Sequence, residues 1–96
     1  MYARVSTFQC LPGKLDELVK EFNETVFPAN RRQAGHVGSY LLTDAPTNRV
    51  MVITLWDTQA TLDESAAGFY QSQVDRVRPF ISGHVSREQF DVKVHV

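Results

Sequence analysis

The chain has 96 residues, 43% hydrophobic and 22% charged, with five Gly and four Pro; that is the composition of one small globular domain, residues 1–96, and it excludes a disordered, collagenous or low-complexity chain. Ten Lys and Arg against eleven Asp and Glu give a net charge of −1, leaving no basic excess to neutralise phosphates, so no nucleic-acid partner is expected. The lone Cys10 excludes an internal disulfide and a Cys-based zinc site, and no apolar run reaches the roughly 18 residues of a membrane span; with no apolar signal core after Met1, a cytoplasmic protein without membrane contact is expected.

Residues 2–9 read as a strand, because Val5, Thr7 and Phe8 favour extended backbone and Pro12-Gly13 stops the run. From Lys14 the period changes. Leu15, Leu18, Val19, Phe22 and Val26 fall on one helical stripe, with Asp16, Glu17, Lys20, Glu21 and Glu24 off it. Pro28 is expected to end or kink this helix, with a short turn through Arg31-Arg32 to Gly35. His36 to Thr43 is a second strand, 44–48 a polar turn, and Arg49 to Trp56 an almost unbroken apolar strand, which together make a β-hairpin. Asp57 or Thr58 can cap a short helix, and Thr61 with Glu64 has the form of a capping box. Phe69, Tyr70, Gln73, Val74 and Val77 form a second helical stripe closed by Pro79. Val85 to Val96 is strand-like, with Phe90, Val92, Val94 and Val96 alternating against Gln89, Asp91, Lys93 and His95.

The order β-α-β-β-α-β, with Gly35-His36-Val37 and Gly83-His84-Val85 each opening a strand, indicates a ferredoxin-like α+β fold: an antiparallel four-stranded sheet with both helices on one face. On the third strand Met51, Ile53 and Leu55 lie on one side and Val50, Val52 and Trp56 on the other. Only one side can meet the helices. The other has nothing left in the chain to cover it, so a homodimer packed sheet against sheet is expected.

This pattern resembles the antibiotic biosynthesis monooxygenase family of dimeric α+β barrels. The likeness is carried by strand one running into Leu11-Pro12-Gly13-Lys14-Leu15, by Pro28, by residues 35–40, and by Leu55-Trp56-Asp57 closing strand three. The resemblance implies a cofactor-free oxygenase of polycyclic phenols and quinols, a haem-degrading enzyme, or a member without assigned activity. Haem-degrading members carry an asparagine on strand one, where Ser6 stands here, and a Trp–His pair where residues 60–80 have neither; this points away from haem cleavage. Members acting on polycyclic substrates carry an asparagine where Val52 stands, so only Trp56 matches them.

Strand alternation puts Arg4, Ser6 and Phe8 on one face, and Val52, Thr54 and Trp56 on one face. The resemblance turns both toward the helices, around a pocket for a small aromatic ligand, with Tyr70 bordering it from the second helix. Trp56 can stack on a flat ring or serve as a core aromatic. Arg4 on a central strand must be paired, reach water or face an anion such as a phenolate. Ser6 and Thr54 can hydrogen-bond a substrate oxygen, and Tyr40 can orient a substrate or simply pack. His36 and His84 are candidates for a general base. The histidines lie on separate strands without metal-ligand spacing, so no metal is expected. A cofactor-independent monooxygenase of a small aromatic or polycyclic phenol or quinol is the first reading; a non-catalytic small-molecule binder and a purely structural domain are its rivals.

Overall fold

The alternation read along the first strand is realised in β1 (Tyr2–Cys10). Arg4, Ser6, Phe8 and Cys10 are buried on one face, and Val5 and Thr7 on the other are half-buried. The computed structural model describes residues 1–96. Strand β2 (His36–Asp44) and β3 (Arg49–Trp56) form the expected hairpin, and β4 (Ile81–Asp91) completes an antiparallel sheet in the order β2-β3-β1-β4. The two central strands are thus β1 and β3, as the split βαβ arrangement requires. Helices α1 (Leu15–Glu21), α2 (Phe27–Arg31), α3 (Gln59–Ala66) and α4 (Phe69–Val77) lie in the two connections. No helix is long and apolar enough to cross a membrane.

On β3 the residues Val50, Val52, Thr54 and Trp56 are buried, whereas Met51, Ile53 and Leu55 are only half-buried. The helices cover the first set. Register then assigns the neighbours: Tyr40 pairs with Ile53 and Leu42 with Met51, and on the other flank Glu88 pairs with Val5 and Phe90 with Ala3. Tyr40, Leu42 and Phe90 are about half exposed. One face of the sheet therefore carries an apolar strip that this chain leaves uncovered.

Pro28 does not end the first helix. Between α1 and α2 the backbone winds one π turn, Phe22–Val26, in which the Phe27 N–H bonds to the Phe22 carbonyl five residues back. The wider turn gives the Pro28 ring room and absorbs its missing N–H, so the helix runs on. Buried side chains then step 18, 22, 26 and 30, and Val19 falls to the rim, 40% exposed. Its expected place in the core stripe is corrected accordingly.

Two further corrections concern ends. The capping box is set by Thr58, whose side chain accepts from Thr61 N–H while the Thr61 hydroxyl accepts from Thr58 N–H; Thr61 is its third helical residue, not its start. Strand β4 begins at Ile81 rather than Val85 and stops at Asp91. It stops because β1 ends: Tyr2 is paired with Asp91, and beyond it only the Val92 N–H reaches back, to the Met1 carbonyl. Gly83-His84 therefore lies at an irregularity inside β4, between the pairs Thr7–Ser86 and Gln9–Ser82. It does not open a strand as Gly35-His36 does. Gly35 itself is tightly constrained: at φ +80° a Cβ would collide with the side chains of Asp57 and Thr61, while its carbonyl accepts the Asp57 N–H.

Candidate functional site

A cavity of about 60 Å³ lies between the helix-facing side of the sheet and the helices. A water needs roughly 10–15 Å³ of such space, so this one has room for a handful of waters. Four elements build most of it, and Val85 of β4 completes it. The inward row of β1 contributes Arg4, Ser6 and Phe8, and β3 contributes Val52 and Thr54. The first helical segment contributes Phe22, Val26 and Asn30, and α4 contributes Phe69, Tyr70, Gln73 and Val77. The walls are mostly apolar with a few placed polar groups, the usual character of a small-molecule site.

Arg4 is the unusual member. It is only 3% exposed. Both of its hydrogen bonds leave from Nη2, to the Leu62 carbonyl at 2.9 Å and to Ser65 Oγ at 2.6 Å, and its Nε–H has no partner. Its charge lies 4.8 Å from the centre of the Tyr70 ring and 5.8 Å from that of Trp56. Burial lowers its pKa; the charge of Arg87 adds to this, and Tyr70 and Asp63 oppose it. The guanidinium nonetheless stays cationic. No carboxylate forms an ion pair with it: the three pairs of the chain are Lys14–Glu17, Arg78–Asp75 and Lys93–Asp91, all exposed.

Tyr70 forms the wall between this cavity and an outer groove that also borders Arg78, His84 and Arg87. Its hydroxyl is 3.0 Å from Ser6 Oγ, and Arg87 lies 4.7 Å from its ring centre. Ser6 is paired across the sheet with Arg87, which explains why the two residues converge on the same tyrosine.

The structure brings Arg4, Ser6, Phe8, Val52, Thr54 and Tyr70 together around the cavity and leaves four other expected site residues outside it. Trp56 is fully buried and does not border the cavity. Its Nε1–H donates to Thr54 Oγ1 at 2.9 Å, and its ring meets His36 edge-on at 5.5 Å. It packs instead of offering a face to a ring. Tyr40 stands 54% exposed on the uncovered side of the sheet, opposite the cavity. His36 borders a separate groove with Phe27 and Arg31, and His84 is exposed in the outer groove. No three His, Cys, Asp or Glu side chains converge. Cys10 is buried, which raises its pKa.

Gln73 and Asn30 were not anticipated as site residues. Gln73 Oε1 is buried without a partner. The signal was present in each case: Gln73 is the polar member of an apolar helical stripe, and Asn30 continues the four-residue steps Leu18, Phe22, Val26.

His36 carries a testable pH dependence. Burial, and then the charge of Arg31, lower its pKa from 6.5 in the folded state, opposed by a backbone hydrogen bond at Gly38. The unfolded chain therefore binds the proton more readily. His36 costs no stability above about pH 6.5, and its contribution is lost as the pH falls below that value toward the folded-state pKa. The melting temperature is expected to drop between about pH 7.5 and 5.5, and less so in His36→Gln. Parallel curves for the two proteins in thermal denaturation contradict this.

The model of the family described as antibiotic biosynthesis monooxygenase matches residues 1–69. No curated protein sequence matches the chain. Among solved structures the chain is similar to the heme-degrader MhuD of Mycobacterium tuberculosis, with two hemes bound in its active site; the TM-score is 0.80 at 23% identity, covering 100% of this chain and 99% of that one. It is similar to SnoaB, a cofactor-independent oxygenase of Streptomyces nogalater, with TM-score 0.77 at 16% identity over 99% and 95% of the two chains. A conserved protein of Methanosarcina mazei gives 0.76 at 11% identity over 96% and 92%. At these identities the likeness is one of fold.

Proposed function

The chain belongs to the antibiotic biosynthesis monooxygenase family, and from that premise we propose that it is a cofactor-independent monooxygenase of a small, electron-rich phenol or hydroquinone bound in the cavity beneath α4. The observation that carries the reading is Arg4, a buried cation whose Nε–H is unpartnered at the edge of an apolar cavity. Such a donor stabilises a phenolate far better there than in water, because no solvent competes.

The chemistry needs only the substrate and dioxygen. The substrate hydroxyl loses its proton, and the anion accepts the Arg4 Nε–H. One electron passes to dioxygen; the radical pair combines to form a carbon–oxygen bond. The oxygen–oxygen bond then breaks, one oxygen staying on the ring as a quinone and the other leaving as water, with every electron supplied by the substrate. A hydroquinone thus gives a hydroxyquinone and water. The Ser6 and Tyr70 hydroxyls, 3.0 Å apart, offer the proton a way out toward the groove that His84 borders.

MhuD degrades heme, but the residues here suit a smaller substrate. The cavity of about 60 Å³ is far short of a tetrapyrrole, and no histidine borders it to hold the iron. Two copies of the chain would join through the uncovered sheet face, forming a dimeric α+β barrel with one cavity per subunit.

Oxygen uptake by metal-stripped protein supplied with one-ring hydroquinones is the test. One dioxygen is expected per substrate, with Arg4→Met losing about 10²-fold in kcat/KM. A second reading, a non-catalytic binder of such rings, is favoured by Val52, which makes the wall apolar where oxygenase relatives carry an amide. Saturable binding with no oxygen uptake selects it.

A further inference from the structure

The cavity holds two unsatisfied groups of opposite kind, and beside them stand two guanidinium groups that form no ion pair. Arg4 Nε is a donor without an acceptor, and Gln73 Oε1 is an acceptor without a donor; both are buried and both residues border the same cavity. Buried polar atoms left alone are rare, because each forgoes water without a replacement. Around the shared wall at Tyr70 stand two guanidinium groups, Arg4 at 4.8 Å and Arg87 at 4.7 Å from its ring centre. Neither is in an ion pair, whereas Arg78 in the outer groove is paired with Asp75. Asp63 acts on Arg4 without forming an ion pair, and a buried cation left unpaired is costly unless an anion arrives to meet it.

We infer that the ligand of this cavity is a one-ring hydroxyarene carboxylate, which arrives already charged, sets its carboxylate at Arg4 and donates a ring hydroxyl to Gln73. This rests on the cavity being the substrate site proposed above, narrows its substrate class to carboxylated phenols or hydroquinones, and puts the carboxylate, in place of the phenolate, on the Arg4 Nε–H. The apolar walls of Phe8, Phe22 and Val77 suit the faces of a ring, and one anion with one hydroxyl answers both orphaned atoms. Arg87, exposed in the outer groove beyond Tyr70, draws the anion in.

Calorimetric titration of the unmodified protein with 2,5-dihydroxybenzoate, its methyl ester, benzoate and hydroquinone tests this without relying on any variant. The acid is expected to bind at least tenfold more tightly than its neutral ester, and more tightly than benzoate, which lacks the donor for Gln73. Arg87→Ala, at an exposed position, is expected to weaken the acid severalfold and leave the ester unchanged; Gln73→Leu is expected to erase the advantage over benzoate. Equal affinity of acid and ester overturns the inference. Binding and oxygenation of hydroquinone with no affinity for the acid overturns it too, while the oxygenase reading stands. Tight binding of the acid with no oxygen uptake from any of these compounds supports the inference and removes the oxygenase reading instead.

Discussion

An Ile53→Asp substitution is expected to dissociate or unfold the protein, and native molecules of the unaltered chain are expected to sediment at twice the 10.9 kDa chain mass. Ile53 sits at the centre of the uncovered face, paired with Val5 on one side and Tyr40 on the other. In an isolated subunit it is only half-buried, so a carboxylate there would keep its water and cost little. Between two sheets the same carboxylate loses its water and finds no partner, since Met51, Leu55, Tyr40 and Leu42 offer it no positive charge. That penalty is several kcal/mol, comparable with the whole stability of a small domain at about 5–15 kcal/mol. The size of the effect therefore reports the environment. Ile53→Leu keeps the apolar surface and is expected to leave the dimer intact. A well-folded Ile53→Asp dimer in sedimentation would show that the interface lies elsewhere.

The second large effect is at Trp56. The indole is completely buried, its N–H is held by Thr54, and its ring packs against His36. Trp56→Ala is expected to lower stability by about 3–5 kcal/mol in urea denaturation, through lost burial and an incompletely collapsed cavity. Thr54 Oγ1 also loses its donor. Trp56→Phe, which keeps most of the apolar volume, is expected to recover much of that loss. Because Trp56 does not border the cavity, ligand affinity of the Phe variant should stay within about threefold of the unaltered protein. A loss under about 1 kcal/mol in Trp56→Ala, or abolished binding in stably folded Trp56→Phe, would reverse the assignment and make the indole part of the site.

Much of the architecture is legible in the sequence because strand and helix periods are geometric. The rows Arg4–Ser6–Phe8 and Val52–Thr54–Trp56 follow from alternation, their inward direction from the family resemblance, and β1 and β3 occupy the centre as the split βαβ order implies. What alternation cannot convey is depth. Thr54 and Trp56 share a face, yet Thr54 borders the cavity and Trp56 is fully buried against Thr54 and His36. Tyr40 shows the same limit: periodicity places it on a strand, but only the register with Ile53 decides its face. The first helix departs from an ideal stripe for a local reason. A π turn precedes Pro28, and the buried side chains step by four from Leu18 to Asn30, which leaves Val19 outward and Asn30 inward. The end of β4 depended on where β1 began, a tertiary fact that the alternation through Val96 does not contain. Arg4 was legible as an oddity, a charge on a central strand, and the structure adds what matters for chemistry: which of its N–H groups is already engaged.

The central claim is that the hollow under α4 holds an aromatic ring against Arg4. A crystal structure of the protein soaked without oxygen in 2,5-dihydroxybenzoate or hydroquinone measures this directly. Density for the ring between Phe22 and Val77, with an oxygen within hydrogen-bond distance of Arg4 Nε, is the expected result. A ring-free cavity filled by the protein's own side chains, with ligand bound elsewhere, would contradict the account.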